Sequence, residues 1–326
     1  MKVRTRYAPS PTGFMHIGNL RTAIFEYLLA KKYNGDFILR IEDTDQEREV
    51  EGAIDFIYNT LDLCGFKIDE GPNNEKEYGP YIQSERKDIY KEYALKLVEM
   101  GKAYYCFCSE EELTKMREKA EMRKKPFVYD GRCSRLSKEK IAENIKNNVP
   151  YVIRQKMPKE GVTIVEDLIY GKVKIDNSIL DDQILLKSDG FPTYNFANVI
   201  DDHLMEITHV IRGKEYLDQT AKYNLLYDAF GWEKPTYIHV AMVLGEDGNK
   251  LSKRNGDASF MDLYNEGYLP EAIVNYLSLL GWSPETNQEV FSMDELIANF
   301  NEERISKSSS QYDVKKLKWF NHQYIN

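Results

Sequence analysis

The spacing of hydrophobic and polar residues near the start of the chain predicts a strand, a helix and a second strand. Residues 3–8 are typical of a short buried strand, apolar side chains recur at helical spacing over residues 17–28, and residues 37–41 form a second apolar run. Such a βαβ unit has parallel strands joined by a right-handed crossover. Ligands of parallel sheets bind beyond the carboxyl ends of the strands, where residues 10–18 and 42–45 fall.

Two changes of pattern divide the rest of the chain. From residue 106 to 189 short β segments surround a basic helical stretch, which indicates an insertion, and the chain beyond residue 257 is mainly helical. Parallel-sheet character resumes in between, at residues 193–200. The other predicted elements are helices over residues 50–63, 84–100, 216–230, 260–266, 270–280, 293–299 and 314–320, and a strand over 237–240.

These elements predict an α/β fold with a Rossmann-type parallel sheet, an inserted α+β domain and a following helical domain. We expect the sheet domain to comprise residues 1–103 and 191–256, the insertion residues 104–190, and the helical domain residues 257–326. A chain of 326 residues of which 42% are apolar is long enough for two or three such cores.

Composition and charge exclude several classes of protein. No stretch approaches the ~20 apolar residues of a membrane span, and Lys2, Arg4 and Arg6 stand where a signal peptide needs apolar residues. Four cysteines without a framework spacing fit a reducing compartment, so we expect a cytoplasmic protein, and we expect it to be monomeric. The net charge of −9 excludes a general polyanion binder. Residues 114–140 carry ten Lys and Arg against four acids, which is either a local RNA-binding patch or, as charge runs usually are, a solvated helix face.

Two segments carry the candidate chemistry. The loop over residues 9–18, which contains His16, precedes a predicted helix, and a helix N-terminus favours phosphate through its free N–H groups and its dipole. The run Lys250-Leu251-Ser252-Lys253-Arg254 follows a predicted strand and a turn, and its cations could clamp a triphosphate and neutralise a leaving pyrophosphate. Each alone is as consistent with an ordinary turn or solvated loop. As a pair they are far more specific.

Together these segments resemble the HIGH and KMSKS motifs of class I aminoacyl-tRNA synthetases. Longer motifs are similar to those of the glutamyl-tRNA synthetase family and occur in order along the whole chain, at residues 6–13 (RYAPSPTG), 40–45 (RIEDTD), 194–203 (YNFANVIDDH), 209–215 (HVIRGKE) and 319–321 (WFN). The chain departs from the first motif at Asn19, where the family has histidine, but its basic loop keeps both lysines.

The resemblance implies how the ligands are held. Arg6 and Arg212 are expected to bind the γ-carboxylate of glutamate, since an arginine fork matches a carboxylate, and Glu42 its α-ammonium group. The rest of the expected glutamate pocket is Ala8, Ser10, Tyr194 and Asn198. The expected ATP site is Ala8, Ser10, Thr12, His16, Gly18, Tyr216, Lys250 and Lys253, of which His16, Lys250 and Lys253 are expected to be catalytic. Mg²⁺ is expected on the phosphates.

The segment Cys106-Phe107-Cys108, together with Cys133, resembles the zinc-binding insertion of some family members. A tetrahedral structural site needs four ligands, and the insertion contains no histidine. The fourth ligand would then be a tyrosine or a carboxylate such as Asp130. The alternative, which the missing histidine favours, is three ordinary reduced cysteines.

The resemblance thus implies ATP-dependent activation of L-glutamate and its transfer to the 3′ end of tRNA(Glu), with the insertion holding the acceptor end and the last helices contacting its stem. One alternative is a glutamyl-queuosine tRNA(Asp) synthetase, a shorter relative, against which the helical segment 257–326 argues. Another is a small-molecule nucleotidyltransferase, which would leave Arg212 without a role. A catalytically inactive RNA-binding paralogue is disfavoured by His16, Lys250 and Lys253.

Overall fold

The computed structural model describes residues 1–12, 15–48, 50–249, 251 and 259–325 of the chain. Its strands and helices, in chain order, are β1 (Arg4–Tyr7), α1 (Ile17–Lys32), β2 (Asp36–Leu39), α2 (Ala53–Leu63), α3 (Lys87–Glu99), β3 (Ala103–Cys106), α4 (Glu110–Met122), α5 (Lys138–Lys146), β4 (Val152–Gln155), β5 (Val162–Asp167), β6 (Gly171–Asp176), β7 (Ile184–Leu186), α6 (Tyr194–Leu204), β8 (His209–Gly213), α7 (Thr220–Phe230), β9 (Thr236–Val240), β10 (Val243–Leu244), α8 (Phe260–Asn265), α9 (Pro270–Ser278), α10 (Met293–Asn299), β11 (Ser310–Gln311) and α11 (Val314–Ile325). Among these helices, none has the length and apolar character needed to cross a bilayer.

A parallel sheet forms the centre of the molecule. β1 pairs with β2, and β8 pairs with β9, each pair in parallel register. The amide of Thr208 donates to the carbonyl oxygen of Arg4 at 3.0 Å, which joins the two pairs in the order β2–β1–β8–β9. The helix α1 crosses over between β1 and β2, which confirms the predicted βαβ unit and places the carboxyl ends of these strands at one edge.

The return from α1 to β2 depends on a glycine. A Cβ added at Gly35 would lie 2.0 Å from the carbonyl oxygen of Val3, far inside contact distance, so only glycine allows β2 to begin this close to β1. Lys31 and Lys32 in the last turn of α1 complement the partial negative charge at the helix C-terminus.

The segment between the two halves of the sheet contributes to two different sheets. β3, β4 and β7 form a separate antiparallel sheet, flanked by α4, which buries none of its residues. The hairpin of β5 and β6 instead extends the central sheet, because β5 pairs in parallel with β9 at Asp167 and Tyr237. Part of the predicted insertion therefore belongs structurally to the central sheet.

Four helices follow the sheet where the pattern predicts them. Ser259 and Ser292 cap α8 and α10, each exchanging reciprocal hydrogen bonds with the acidic residue three positions on, and Pro270 opens α9. α9 packs against both α1 and α11, so that the helical region shares one apolar core with the central sheet.

The prediction of parallel-sheet structure at residues 193–200 is wrong, because this segment begins the helix α6. Its apolar residues Phe196, Ala197, Val199 and Ile200 have a spacing that fits a short apolar strand as well as a helix. The polar residue Asn198 within this segment and Asp201 just after it are also buried. The segment therefore lacks the solvent-facing side that a strand at the edge of a sheet would have. The strand next to β1 is β8 instead.

Candidate active site

A cavity of about 400 Å³ opens at the carboxyl ends of β1 and β8. This is the edge at which parallel sheets bind ligands. Most of the residues that the sequence assigns to glutamate and ATP lie in its wall, namely Arg6, Ala8, Ser10, Thr12, Tyr194, Arg212 and Tyr216. The two arginines therefore face a common space, although 206 positions separate Arg6 from Arg212 in the sequence.

A second cavity, of about 240 Å³, adjoins the first and is lined by His16 and Gly18. His16 is the N-cap of α1, and its Nδ1 accepts a hydrogen bond from the amide of Gly18 at 3.1 Å. The imidazole packs so closely that a Cβ on Gly18 would lie 3.2 Å from that nitrogen. Asn19 and Thr22 line both cavities, which makes them two parts of one cleft.

Two described residues near the basic run lie beside His16. Leu251 lines the same small cavity as His16, and Ser259 forms an isolated β-bridge with His16. Lys250 and Lys253, the two lysines expected on the phosphates, lie outside the described residues.

The two arginines of the cavity differ in their partners. Arg6 is paired with a carboxylate, because its Nε and Nη2 donate to Asp202 at 2.8 and 3.1 Å. A second carboxyl, that of Glu26, lies 3.6 Å from Nη1 of Arg6. Burial raises the pKa of Glu26 well above its usual range in spite of Arg6, so we assign Asp202 as the counter-charge of Arg6.

Arg212 has only neutral hydrogen-bond partners among the described residues. Its Nε donates to Nε2 of His239 at 3.1 Å, and its Nη2 donates to the hydroxyl of Thr220 at 2.9 Å. The guanidinium also lies 4.6 Å from the ring centroid of Tyr223. Arg212 therefore makes no ion pair among the described residues, although the carboxylate of Glu215 lines the same cavity, whereas Arg6 is already paired with Asp202.

Glu42 and Asn198 lie behind the cavity wall instead of in it. The amide of Asn198 donates to the backbone oxygen of Tyr194 at 2.8 Å and so fixes the start of α6. Glu42 accepts from Nη2 of Arg40 at 3.0 Å through one oxygen, and its other oxygen is buried without a partner among the described residues. Burial raises the pKa of Glu42 to about 7. Such an orphaned oxygen has the chemistry to accept a hydrogen bond from a ligand cation.

A buried charge network supports this side of the cavity, and no role was assigned to it from the sequence. Arg40 contacts Asp202 at 2.8 Å, and Arg86 contacts Asp201 at 2.8 Å. Tyr90 donates to the same Asp201 at 2.6 Å. The signal was present in the sequence, since Arg40 interrupts the apolar run of residues 37–41 and the two aspartates directly follow the apolar residues 199 and 200.

The three cysteines of the insertion lie together. The sulfur atoms of Cys106, Cys108 and Cys133 are within 4.8 Å of one another, and this is the one group of potential metal ligands of that size among the described residues. The hydroxyl of Tyr129 lies 3.3 Å from the sulfur of Cys106 and 3.4 Å from that of Cys108. Asp130 is turned away, because its carboxylate is paired with Arg132 at 2.9 Å.

This donor set fits a tetrahedral zinc ion. Three thiols and one phenol lie within hydrogen-bond or near-contact distance of one another, and thiolate sulfur is a preferred zinc ligand. Hydrogen bonds, first from Cys133 and then from Tyr129, lower the pKa of the Cys106 thiol to about 4, whereas burial raises the pKa of Cys108 and the hydrogen bond with Cys106 raises that of Cys133.

The fold and the cleft together define a class of protein: an α/β protein whose parallel sheet holds a cavity lined by two arginines beside a histidine-capped helix. The family model described as "tRNA synthetases class I (E and Q), catalytic domain" matches residues 2–319. The chain belongs to this family, which confirms the resemblance drawn from its motifs.

Named relatives agree with this membership. The chain is 60% identical to the glutamate–tRNA ligase of Clostridium tetani and 62% identical to that of Clostridium botulinum (strain Hall), over 324 residues that make up 99% of this chain and 66% and 67% of those proteins. It thus spans about two thirds of the length of these curated relatives.

Solved structures with the same fold are also known. The glutamate–tRNA synthetase of Elizabethkingia anophelis is 43% identical, with a TM-score of 0.95 over 99% of this chain and 70% of that one. A glutamate–tRNA ligase of Elizabethkingia meningosepticum, solved in complex with its amino acid, has the same identity and TM-score over 100% of this chain and 70% of its own.

Proposed function

We propose that the chain activates L-glutamate with ATP and transfers the glutamyl group to the 3′ end of tRNA(Glu). The observation that carries this proposal is the guanidinium of Arg212, which makes no ion pair among the described residues, in the cavity beside Arg6. An acidic side chain is the substrate group that such a cation selects, because a buried charge without a partner is costly. The relatives from Clostridium tetani and Clostridium botulinum, both named glutamate–tRNA ligases, point to the same amino acid.

The reaction has two steps in one cleft. An oxygen of the α-carboxylate of glutamate attacks the α-phosphorus of ATP, the bond to the bridging oxygen breaks, and pyrophosphate leaves with the electron pair. A terminal ribose hydroxyl of the tRNA then attacks the activated carbonyl, loses its proton and displaces AMP. The protein supplies positioning and charge, with His16 at the N-terminus of α1 and Lys250 and Lys253 on the phosphates, which Mg²⁺ accompanies.

The basic segment 114–140 is the surface we propose for the acceptor end of the tRNA. The helix α4 buries no residue, and Arg123, Lys124 and Lys125 after it are exposed. Exposed cations can replace the counterions of RNA phosphates, so that contact here gains affinity at low salt. We propose that the helices beyond residue 257 contact the stem of the same arm.

Glutamate-dependent ATP–pyrophosphate exchange tests the proposal. The full-length protein is expected to exchange label with glutamate, with tRNA(Glu) present, and to aminoacylate that tRNA. Exchange followed by transfer to tRNA(Asp) alone would instead indicate the glutamyl-queuosine activity. Nucleotidyl transfer to a small molecule without any response to glutamate would contradict the proposal.

We expect glutamate binding to depend on pH through Glu42. Its pKa of about 7 means that the carboxyl is protonated at pH 6 and ionised at pH 8, and only the ionised form accepts an α-ammonium group with full charge. The KM for glutamate should therefore fall about tenfold between pH 6 and pH 8, since one pH unit below the pKa leaves about a tenth of the group ionised. Steady-state exchange rates over this range measure the effect.

Glu42→Gln removes the titrating group, so its KM for glutamate should be high and flat with pH. The matched control is Glu75→Gln, an exposed glutamate whose replacement should leave the wild-type profile in place. An unchanged pH profile in Glu42→Gln would deprive Glu42 of its assigned ammonium contact.

We further propose that the insertion binds one structural zinc ion through Cys106, Cys108, Cys133 and the phenol of Tyr129. Metal analysis after dialysis should give one zinc per chain, and Cys108→Ser should abolish binding because a closed tetrahedral site needs all four ligands. Cys64→Ser is the matched control, since Cys64 is buried in a different core. A dialysed wild-type protein that retains no zinc and resists chelators unchanged would favour reduced cysteines instead.

A further inference from the structure

Arg212 belongs to a buried chain of three hydrogen-bonded residues from three strands. Arg212 lies on β8, His239 on β9 and Asp167 at the end of β5. The Nε of Arg212 is 3.1 Å from Nε2 of His239, and Nδ1 of His239 is 2.7 Å from Oδ2 of Asp167. The side chains of His239 and Asp167 are wholly buried.

The hydrogen bonds assign the tautomer of His239. A guanidinium has donors and no acceptor, so Nε2 of His239 accepts the bond from Arg212 and carries no hydrogen. The imidazole hydrogen is then on Nδ1, from which it is donated to Asp167. Burial lowers the pKa of His239, which keeps the ring neutral near physiological pH.

Asp167 is itself fixed in orientation by the backbone. Its Oδ1 accepts from the amides of Ile169 and Tyr170, both at 2.9 Å, in the turn between β5 and β6. Its Oδ2 accepts from the amide of His239 at 3.0 Å as well as from the ring. The hairpin that joins the central sheet from the insertion thus sets the position of the imidazole.

We propose that His239, held by Asp167, is a positioning residue for Arg212 in substrate recognition. By accepting from Nε, it fixes the plane of the guanidinium and leaves the Nη edge for the carboxylate of the substrate. Because the ring is neutral, it does so without cancelling the charge of Arg212, as an aspartate or glutamate at that position would. The proposal deepens the proposed function and rests on it.

Thr220 completes the alignment from the other side. Its hydroxyl hydrogen is donated to the backbone oxygen of Tyr216 at 2.8 Å, so the oxygen presents its lone pairs to Nη2 of Arg212. Both hydrogen-bond partners of Arg212 are therefore neutral acceptors, and each donates its own hydrogen to another group. A purely structural role for this cluster would be equally well served by a charged acceptor.

Two substitutions of His239 separate its bond to Arg212 from its bond to Asp167. In His239→Gln the amide oxygen falls near the position of Nε2 and can still accept from Arg212. In His239→Asn the amide nitrogen falls near Nδ1 and can still donate to Asp167, but the acceptor for Arg212 is lost. The glutamine variant should stay within about threefold of wild type in its KM for glutamate, whereas the asparagine variant should raise that KM about 10- to 100-fold, as expected for a lost hydrogen bond to a charged group.

The KM for ATP serves as the control, and the thermal midpoint is measured in the same full-length protein. The KM for ATP should stay near its wild-type value in both variants, whereas the thermal midpoint of His239→Gln should fall because its buried bond to Asp167 is lost. Equal increases in the two substrates' KM values, or equal effects of the two variants, would overturn the proposal. Wild-type protein without any glutamate-dependent exchange would instead refute the proposed function.

The unsubstituted protein offers a measurement that does not depend on the variants folding. Imidazole ¹⁵N chemical shifts should report His239 as the neutral Nδ1–H tautomer from pH 6 to pH 8, with Nε2 unprotonated throughout. A protonated Nε2 in this range is incompatible with acceptance from Arg212 and would overturn the proposal regardless of the enzyme kinetics.

Discussion

Replacement of Arg212 by alanine should reduce kcat/KM for glutamate about 30- to 5000-fold in the exchange reaction. This range corresponds to the about 2–5 kcal/mol that is lost when one partner of a buried charge pair is removed. The loss is large because Arg212 lines the cavity and makes no ion pair with a protein carboxylate among the described residues. The measurement is steady-state ATP–pyrophosphate exchange at varied glutamate, with tRNA(Glu) present.

The KM for ATP separates recognition from misfolding in this experiment. Because the partners of Arg212 are a histidine and a threonine, its removal leaves no buried carboxylate unpaired, and ATP binding should be nearly unchanged. Lys91→Ala, which removes an exposed cation from α3, is the matched control and should behave as wild type. A loss of ATP and glutamate affinity by the same factor would show that Arg212 is structural.

The start of the fold could be predicted because its elements are short and sharply delimited. Proline and glycine separate β1 from α1, and Gly35 returns the chain to β2, so the apolar runs between them have one consistent interpretation. The position of the cavity then follows from a rule about parallel sheets that needs no knowledge of side-chain contacts. This is why seven of the residues singled out in the sequence line one space.

The distribution of charge in the cavity could not be predicted in the same way. Arg6 and Arg212 are the same type of residue, and each lies in a motif of the family. Asp202, which neutralises Arg6, is 196 positions away from it, and His239, which holds Arg212, occurs in a segment to which no role was assigned. Long-range pairing of this kind depends on which face of a helix is buried. Because residues 193–200 were predicted as part of the sheet, the buried face of α6 that carries Asp202 could not be identified.

The two arginines consequently have different roles in stability. Arg6 and Arg40 both bind Asp202, and although burial opposes it, their charges lower the pKa of that carboxyl. Asp202 thus pairs with two guanidinium groups at a buried position. Arg212 takes no part in this network, so its charge can pair with a ligand. Substrate recognition therefore does not depend on the ion pairs that stabilise the core.

Asp202→Ala should for this reason lower the free energy of unfolding by about 3–5 kcal/mol, the cost of leaving a buried charge without its partner. Two guanidinium groups lose their shared acceptor at a buried position, since Asp202 is 3% exposed. Urea unfolding followed by tryptophan fluorescence measures the change, because Trp232 stacks on His203, the next residue along α6, at 3.6 Å. Asp202→Asn, which keeps an acceptor oxygen, should lose less, and the exposed control Asp62→Ala should lose almost nothing. If Asp202→Ala unfolded at the same urea concentration as Asp62→Ala, the aspartate would not be the counter-charge of Arg6, and Arg6 would be as available to the substrate as Arg212.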